Sequence, residues 1–251
     1  MIKFFRKIRQ KMLTENKFSK YLIYAIGEII LVVIGIMIAL QINNSNNKRI
    51  EKDREIKYLI NIKLDLLKDI ESLEYNIDFR QKKTLGIENL INQINGQPIK
   101  DLNETTFNVI NTLYQERFQP SNVTYGDLVS SGNMNLISND SIKIYLFELS
   151  LLYQQNLFNI EHETAEYDEN ISKSIFRLAD VERMKPVFLG EKTIEQVNIS
   201  EEDFKALFES LEYKNGCVVA KWTSEGMIEM YQNINNKSKR LIELINSELK
   251  K

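Results

Sequence analysis

The one candidate for a metal site that the sequence offers centres on its single histidine. The 251-residue chain contains a single His. His162 and Glu166 are four residues apart, so on a helix they would share a face where an imidazole and a carboxylate can hold a divalent metal. One histidine excludes multi-histidine sites and the HExxH motif. A solvated acidic face is the simpler interpretation, so we predict no metal site.

The single cysteine and several aromatic residues are the other candidates for chemistry. Cys217 would be reactive if it were exposed beside a cation such as Lys214, but burial as a small apolar side chain is favoured. Aromatic residues could line a ligand pocket between helices, although helical spacing is more typical of a core. These aromatic residues are Trp222, Tyr153, Phe158, Tyr167 and Tyr231. We find no nucleophile motif, phosphate-binding loop, dinucleotide fingerprint or zinc motif, and predict a non-enzyme without catalytic residues or cofactor.

Glu28 is the one charged residue in an otherwise apolar run from Tyr21 to Leu40. Twenty residues of helix span about 30 Å, the thickness of a hydrocarbon core, so we predict a transmembrane helix over residues 21–42. A cleaved signal peptide is disfavoured, because the run is too long and no small-x-small cleavage site follows it. The segment is therefore interpreted as an uncleaved signal anchor.

One stripe of this helix carries Glu28, Val32, Gly35 and Ala39. Gly35 and Ala39 form a small-xxx-small pair, which permits close approach of a second helix. We predict that the stripe is a helix-association face, through which the chain pairs with itself or with another membrane protein. Two alternatives stay open for Glu28: solvation from the near interface, and proton or ion translocation in an accessory subunit of an ion-driven membrane complex.

The flanks of the hydrophobic run predict its orientation. Residues 1–20 contain seven basic residues and one acidic residue, with Phe4, Ile8 and Met12 at helical spacing. This pattern predicts a basic amphipathic segment on an anionic inner leaflet, with a frayed tail as the alternative. We expect a cytoplasmic N-terminus and an extracytoplasmic domain formed by residues 43–251. The formal net charge of −2 gives no indication of nucleic-acid binding.

The N-terminal segment also resembles a known family. The run YAIGEIILVVIGIMIALQINN, after a basic start MIKFFRKIR, is similar to an uncharacterised family of flavobacterial-type single-pass inner-membrane proteins, mainly over residues 1–47. A weaker similarity covers Thr124-Tyr125, Ser131-Gly132 and Leu136-Ile137, and Ser45 stands where the family tends to have a Trp. The resemblance implies a bacterial inner membrane, with the C-terminal domain in the periplasm. It implies no activity, substrate or catalytic residue.

Residues 43–251 carry 26 basic and 33 acidic side chains and show recurrent 3.6-residue periodicity. We predict an all-α fold, in which the transmembrane helix continues into an up-and-down helical bundle. The first helix stops at Gly96-Gln97-Pro98, and a further helix covers about 102–118. The next helix can be capped by Asp140 or Asn139 and runs through Ile144, Phe147, Leu151 and Phe158 to about Ala179, and Lys185-Pro186 breaks it. A parallel coiled coil for the first helix is the alternative to intramolecular packing.

Residues 121–139 form the one stretch dense in turn residues, and a rigid bundle could present it for recognition. The candidate recognition residues are Tyr125, Asp127, Ser131, Gly132 and Asn133. The alternative is a connection whose apolar residues pack on the bundle. We therefore expect a membrane-anchored, non-enzymatic helical module that binds a partner or senses its surroundings, with an ion-driven complex using Glu28 as the second hypothesis.

Overall fold

The computed structural model describes residues 18–250, apart from the side chains of residues 18–21 and Tyr24. The predicted basic segment at residues 1–20 lies almost wholly outside the described residues. Helix α1, Phe18–Ile94, is a single helix of 77 residues. Its C-terminal cap includes Gly96, which has φ 99°; Gly96 N–H donates to Gln93 O, and Gln97 N–H donates to Asn92 O. This glycine-terminated cap confirms the stop predicted at Gly96-Gln97-Pro98.

The chain divides into two compact units, the first ending at Ile56 and the second beginning at Lys57. In the first unit, α1 is long and apolar enough to cross a membrane, with an 18-residue window of mean hydropathy 2.5. None of that window is buried within the protein. The predicted boundary between transmembrane helix and domain, at residues 42 and 43, rests on hydropathy and stays a prediction.

The second unit is built from helices, and the structure shows no strand in residues 18–250. After α1 come α2 Leu102–Asn111, α3 Val123–Ser130, a 3₁₀ turn Asn133–Leu136 and α4 Asp140–Tyr167. A π-helical turn Asp168–Ser172 leads to α5 Lys173–Leu178, α6 Val181–Phe188, α7 Ile194–Val197, α8 Glu202–Phe208 and α9 Leu211–Glu248. The predicted all-α fold, with a long apolar N-terminal helix followed by a helical region, is confirmed.

Helices α1, α4 and α9 form the main core. Lys239 bonds to Glu74 and Lys214 to Asn95, so α9 runs antiparallel to α1. Tyr153 bonds to Asp69, and about three turns further along α1 Arg80 bonds to Glu163, so α4 runs parallel to α1. Leu59, Leu66 and Leu73 of α1 lie in this core with aliphatic and aromatic residues of α4 and α9.

A parallel pair of helices needs a connection that returns along the bundle, and residues 112–122 supply it. Helix α2 ends at Asn111, and no helix covers residues 114–122, so the helix predicted to reach residue 118 is too long. The return segment buries Phe118 completely between Tyr153 and Tyr231. A second core cluster, which includes Ile87, packs α2 and helices α5–α9 around the other end of α1.

Two local sequence predictions are wrong. Pro186 does not break a helix, because it lies inside α6; the preceding helix ends as predicted at about Ala179, which is extended with φ −122° and ψ 146°. The face predicted for α4 is also reversed. Its buried apolar residues are Ile142, Leu146, Leu149, Tyr153 and Ile160, whereas Ile144, Phe147, Leu151 and Phe158 are exposed. Both sets have helical spacing, so periodicity alone does not tell them apart.

Candidate functional site

The predicted helix-association residues occupy the first unit, where Glu28 is half-buried and Val32, Gly35 and Ala39 are exposed. Their spacing of four, three and four residues on a continuous helix places them along one stripe. A Cβ added at Gly35 would meet no atom within 4 Å. A second helix could therefore approach the backbone at this position. Association through this face stays a prediction.

The turn-rich segment forms α3 and the 3₁₀ turn, and its apolar residues pack on the bundle. Leu128 and Ile137 are fully buried, and Tyr125 and Met134 are half-buried against the main core. The Tyr125 hydroxyl lies 3.4 Å from Ser150 Oγ on α4. The apolar side of the segment thus anchors it to the bundle, as the alternative interpretation expects.

The polar side of the same segment forms a hydrogen-bonded cluster, which we call the Tyr58 cluster: Tyr58, Asp127, Ser131 and Asn133. Tyr58 of α1 donates to Asp127 Oδ2 at 2.8 Å and accepts from Asn133 Nδ2 at 3.2 Å. Asn133 Nδ2 also lies 2.7 Å from Ser131 Oγ, which bonds to the Asp127 carbonyl at 2.6 Å. Gly132 makes the turn with φ 70°. Three of the five candidate recognition residues are therefore joined by hydrogen bonds, with Gly132 in the turn between two of them and Tyr58 as the member that sequence analysis missed.

Two buried or half-buried carboxylates of α1 hold the end of the return segment. Asp69 is 2% exposed and accepts from Ser121 N–H and from the Tyr153 hydroxyl, each at 2.6 Å. Asp65 accepts from Thr124 N–H at 3.1 Å, at the start of α3. Burial raises the pKa of Asp69, and the hydrogen bonds from Tyr153 and Ser121 oppose that rise. These carboxylates fix the position from which α3 starts.

Two buried cations of α1 hold the middle of the return segment. Arg80 forms two bonds of 2.7 Å to the Glu163 carboxylate and a 3.3 Å bond to the Glu116 carbonyl. Lys83 donates to the Tyr114 carbonyl at 2.6 Å, and burial lowers its pKa to about 8. These groups supply the polar partners that a buried non-helical segment requires. The two cations therefore position the return segment, and neither is available to a ligand.

The remaining candidates for chemistry are dispersed. His162 is exposed, and the Glu166 carboxylate accepts from Asn170 Nδ2 at 3.0 Å. Cys217 is fully buried beside Tyr213, and burial raises its pKa to about 12, so its thiol is part of the core. Of the aromatic residues proposed to line a pocket, Tyr153 and Tyr231 are buried and Tyr167 is half-buried. Phe158 and Trp222 are instead 62% and 75% exposed, which fits neither a pocket nor a core.

Sequence comparison identifies a family for the chain. Residues 28–200 match a family of unknown function, DUF6090. The matched range begins at Glu28, runs through α4 and ends before α8, and so includes both the association stripe and the Tyr58 cluster. No curated protein matches the chain. No solved structure matches it either. Because the match covers well over half of its length, the chain belongs to the family of unknown function DUF6090.

Proposed function

We propose that this protein is a single-pass membrane protein whose residues 43–251 form an extracytoplasmic, non-enzymatic module for binding a partner or sensing the surroundings. The N-terminus would lie in the bacterial cytoplasm and the module in the periplasm. The apolar, unburied part of α1 supports the anchor, since such a surface is stable against lipid and costly in water. The basic residues 1–20 support the orientation.

The Tyr58 cluster is the observation that carries the binding role. It combines exposed polar groups of Asp127 and Ser131 with a scaffold fixed by the buried Leu128 and Ile137. Val123 and Val129 are 79% and 53% exposed on the same short helix. Exposed apolar side chains beside rigidly held polar groups are typical of a recognition surface, because little entropy is lost when a partner binds.

A pull-down of the full chain in mild detergent, followed by mass spectrometry, tests this role. We expect a partner that is retained by the wild type and lost from Asp127→Ala and Val123→Ser, both of which change exposed side chains. Glu202→Ala, an exposed change on α8, is the matched control and should retain it. Identical protein sets from all four samples would contradict binding through the Tyr58 cluster.

Single cysteines test the anchor and its association face. A membrane-impermeant maleimide applied to intact spheroplasts should label Trp222→Cys and leave Thr14→Cys unlabelled; the reverse pattern would refute the orientation. Oxidation of Val32→Cys, Gly35→Cys or Ala39→Cys in membranes should give disulfide-linked dimers. Ile30, Val33 and Met37 lie on the opposite side of the helix, and equal crosslinking there would contradict a specific face.

The second candidate is an accessory subunit of an ion-driven membrane complex that uses Glu28. One observation favours it: Glu28 is the one acidic residue within the apolar segment, and the family match begins there. This candidate requires a group that can gain and lose a proton. A deletion strain complemented with Glu28→Gln should lose function if the candidate is correct and keep it if Glu28 serves association alone.

A further inference from the structure

We infer that the outer face of α4 is a homodimer seam, on which a second copy of this chain packs with its own α4 parallel. The seam consists of Ile144, Phe147, Leu151, Gln154 and Phe158. Its four apolar side chains are 56%, 57%, 47% and 62% exposed, on the side of α4 opposite its core residues. The parallel orientation rests on the proposed membrane anchorage, since two copies anchored in one bilayer point the same way.

The spacing of these residues is that of a two-helix interface. Successive seam positions are three, four, three and four residues apart, which is the alternation of a and d positions in a coiled coil. The outer faces of α1 and α9 are also apolar in places but shorter: Ile60, Leu64 and Leu67 are followed by Glu71 and Glu74 on α1. A seam sustained over about four turns therefore distinguishes α4.

Charges beside the seam match a parallel copy. Lys143 occupies a g position of this pattern and Glu148 an e position. In a parallel coiled coil, a g residue lies beside the e residue that is five positions further along the partner helix, so Lys143 of one copy would lie beside Glu148 of the other. Each has an intramolecular partner, Asp140 and Lys237, and each remains partly exposed, so both can join a wider ion-pair network. An antiparallel copy centred on Leu151 would instead place Lys143 level with Asn159 and Glu148 level with Gln154.

Gln154 fits the same arrangement. It is the single polar side chain within the seam and is exposed. In a parallel pair in register, it would meet Gln154 of the second copy, where two side-chain amides can bond to each other. A buried polar pair of this kind costs some stability and fixes the register of the two helices.

The exposed area suits a weak dimer that forms in a membrane. The four apolar seam residues and Leu157 have side chains of roughly 200 Å² each, and about half of each is exposed. Each copy therefore has about 500 Å² of exposed apolar surface here, and a pair would bury about 1,000 Å² in total, without counting polar residues at the rim of the interface. That is the lower limit of a specific interface. Confinement of two anchored copies raises their effective concentration, so that a weak interface is enough.

Disulfide trapping of the full chain in native membranes tests the inference. Ile144→Cys and Leu151→Cys should each form dimers on oxidation, whereas Tyr75→Cys on α1 and Trp222→Cys on α9, which are equally or more exposed, should not. Ile144→Cys decides the orientation, because in an antiparallel pair centred on Leu151 its two copies would be about 20 Å apart. Phe147→Ser should reduce trapping at Leu151→Cys at least tenfold, and continued protection of the buried Cys217 from thiol reagents reports that the bundle is folded.

Exchanging the charges of Lys143 and Glu148 is the second part of the test. Lys143→Glu should reduce trapping at Ile144→Cys about two- to fivefold, and adding Glu148→Lys should restore it, as expected of g–e pairs. Equal trapping at Tyr75→Cys, trapping of a different protein, or trapping that Phe147→Ser leaves unchanged would overturn the seam. If Gly35→Cys is trapped while Ile144→Cys is not, the seam fails and the proposed anchor stands; if the chain is recovered outside the membrane fraction, the proposed function fails.

Discussion

The buried lysine of α1 gives the sharpest stability prediction. Lys83 is 7% exposed, and burial lowers its pKa from the ordinary lysine value of 10.5 to about 8. Below about pH 8 the lysine is charged in both the folded and the unfolded chain, and the folded state carries the full cost of burying that charge. Between about pH 8 and 10.5 the lysine binds more protons in the unfolded chain than in the folded chain, so its contribution to the free energy of unfolding rises with pH.

The magnitude follows from the same two values. A difference of about 2.5 pKa units corresponds to roughly 3 kcal/mol, gained progressively across this window and complete above it. Lys83→Met removes the titrating group while keeping an unbranched side chain, so its unfolding free energy should lack this contribution. At any single pH, the difference in unfolding free energy between wild type and Lys83→Met also includes the lost bond to the Tyr114 carbonyl. The change of that difference with pH is therefore the quantity that reports the titration of Lys83.

The assay is denaturant unfolding of the full chain in detergent micelles, followed by circular dichroism at several values from pH 7 to 10.5. Wild type should gain about 3 kcal/mol relative to Lys83→Met over this range. Lys82→Met is the matched control, because Lys82 is exposed and paired with Asp78 on the surface, and it should follow wild type at every pH. Parallel curves for wild type and Lys83→Met would refute the burial of a charged lysine.

Three further predictions concern single contacts. Glu163→Gln leaves the buried Arg80 without its charged partner and should cost about 3–5 kcal/mol in unfolding free energy, most of it recovered when both residues are Met; an effect below 1 kcal/mol would contradict a buried pair. A Cβ at Gly216 would lie 3.0 Å from the Asn170 carbonyl oxygen, so Gly216→Ala should lower the melting temperature, whereas Gly226→Ala, in open space on the same helix, should stabilise by about 0.5–1 kcal/mol. Cys217 should react with a thiol reagent at least a hundredfold more slowly in the native chain than in denaturant, and rapid native labelling would contradict its burial.

Local signals in the sequence predicted the ends and types of several elements. Gly96 stops α1 because its positive φ suits the cap that ends the helix, a property of one residue. Asn139 caps α4 with side-chain bonds to Ser141 N–H and Ile142 N–H, another local effect. Pro186 misled the prediction, since it is the sixth residue of the eight-residue α6 and the helix ends two residues after it, at Phe188.

The return segment could not be predicted in the same way, because its backbone partners lie far away in the sequence. The Ser121 amide depends on Asp69, and the Tyr114 carbonyl on Lys83. One signal was present: Ile62, Leu66, Asp69, Leu73, Asn76, Arg80, Lys83, Ile87 and Leu90 are spaced alternately by four and three residues along α1. Charged residues at such positions indicate that something polar is buried against the helix. Their pattern does not say which segment it is.

Helix α4 shows why apolar spacing alone cannot identify a core. Its inner row, Ile142, Leu146, Leu149, Tyr153, Asn156 and Ile160, and its outer seam both alternate steps of three and four residues. The inner row is buried because α1, α9 and the return segment supply complementary partners, among them Asp69 for Tyr153 and the Phe118 carbonyl for Asn156. The outer seam, including Phe147 and Phe158, has no comparable cover within residues 18–250. A helix with apolar rows on opposite sides has the pattern of a helix that packs against a partner on each side. The second copy is therefore placed on this outer face.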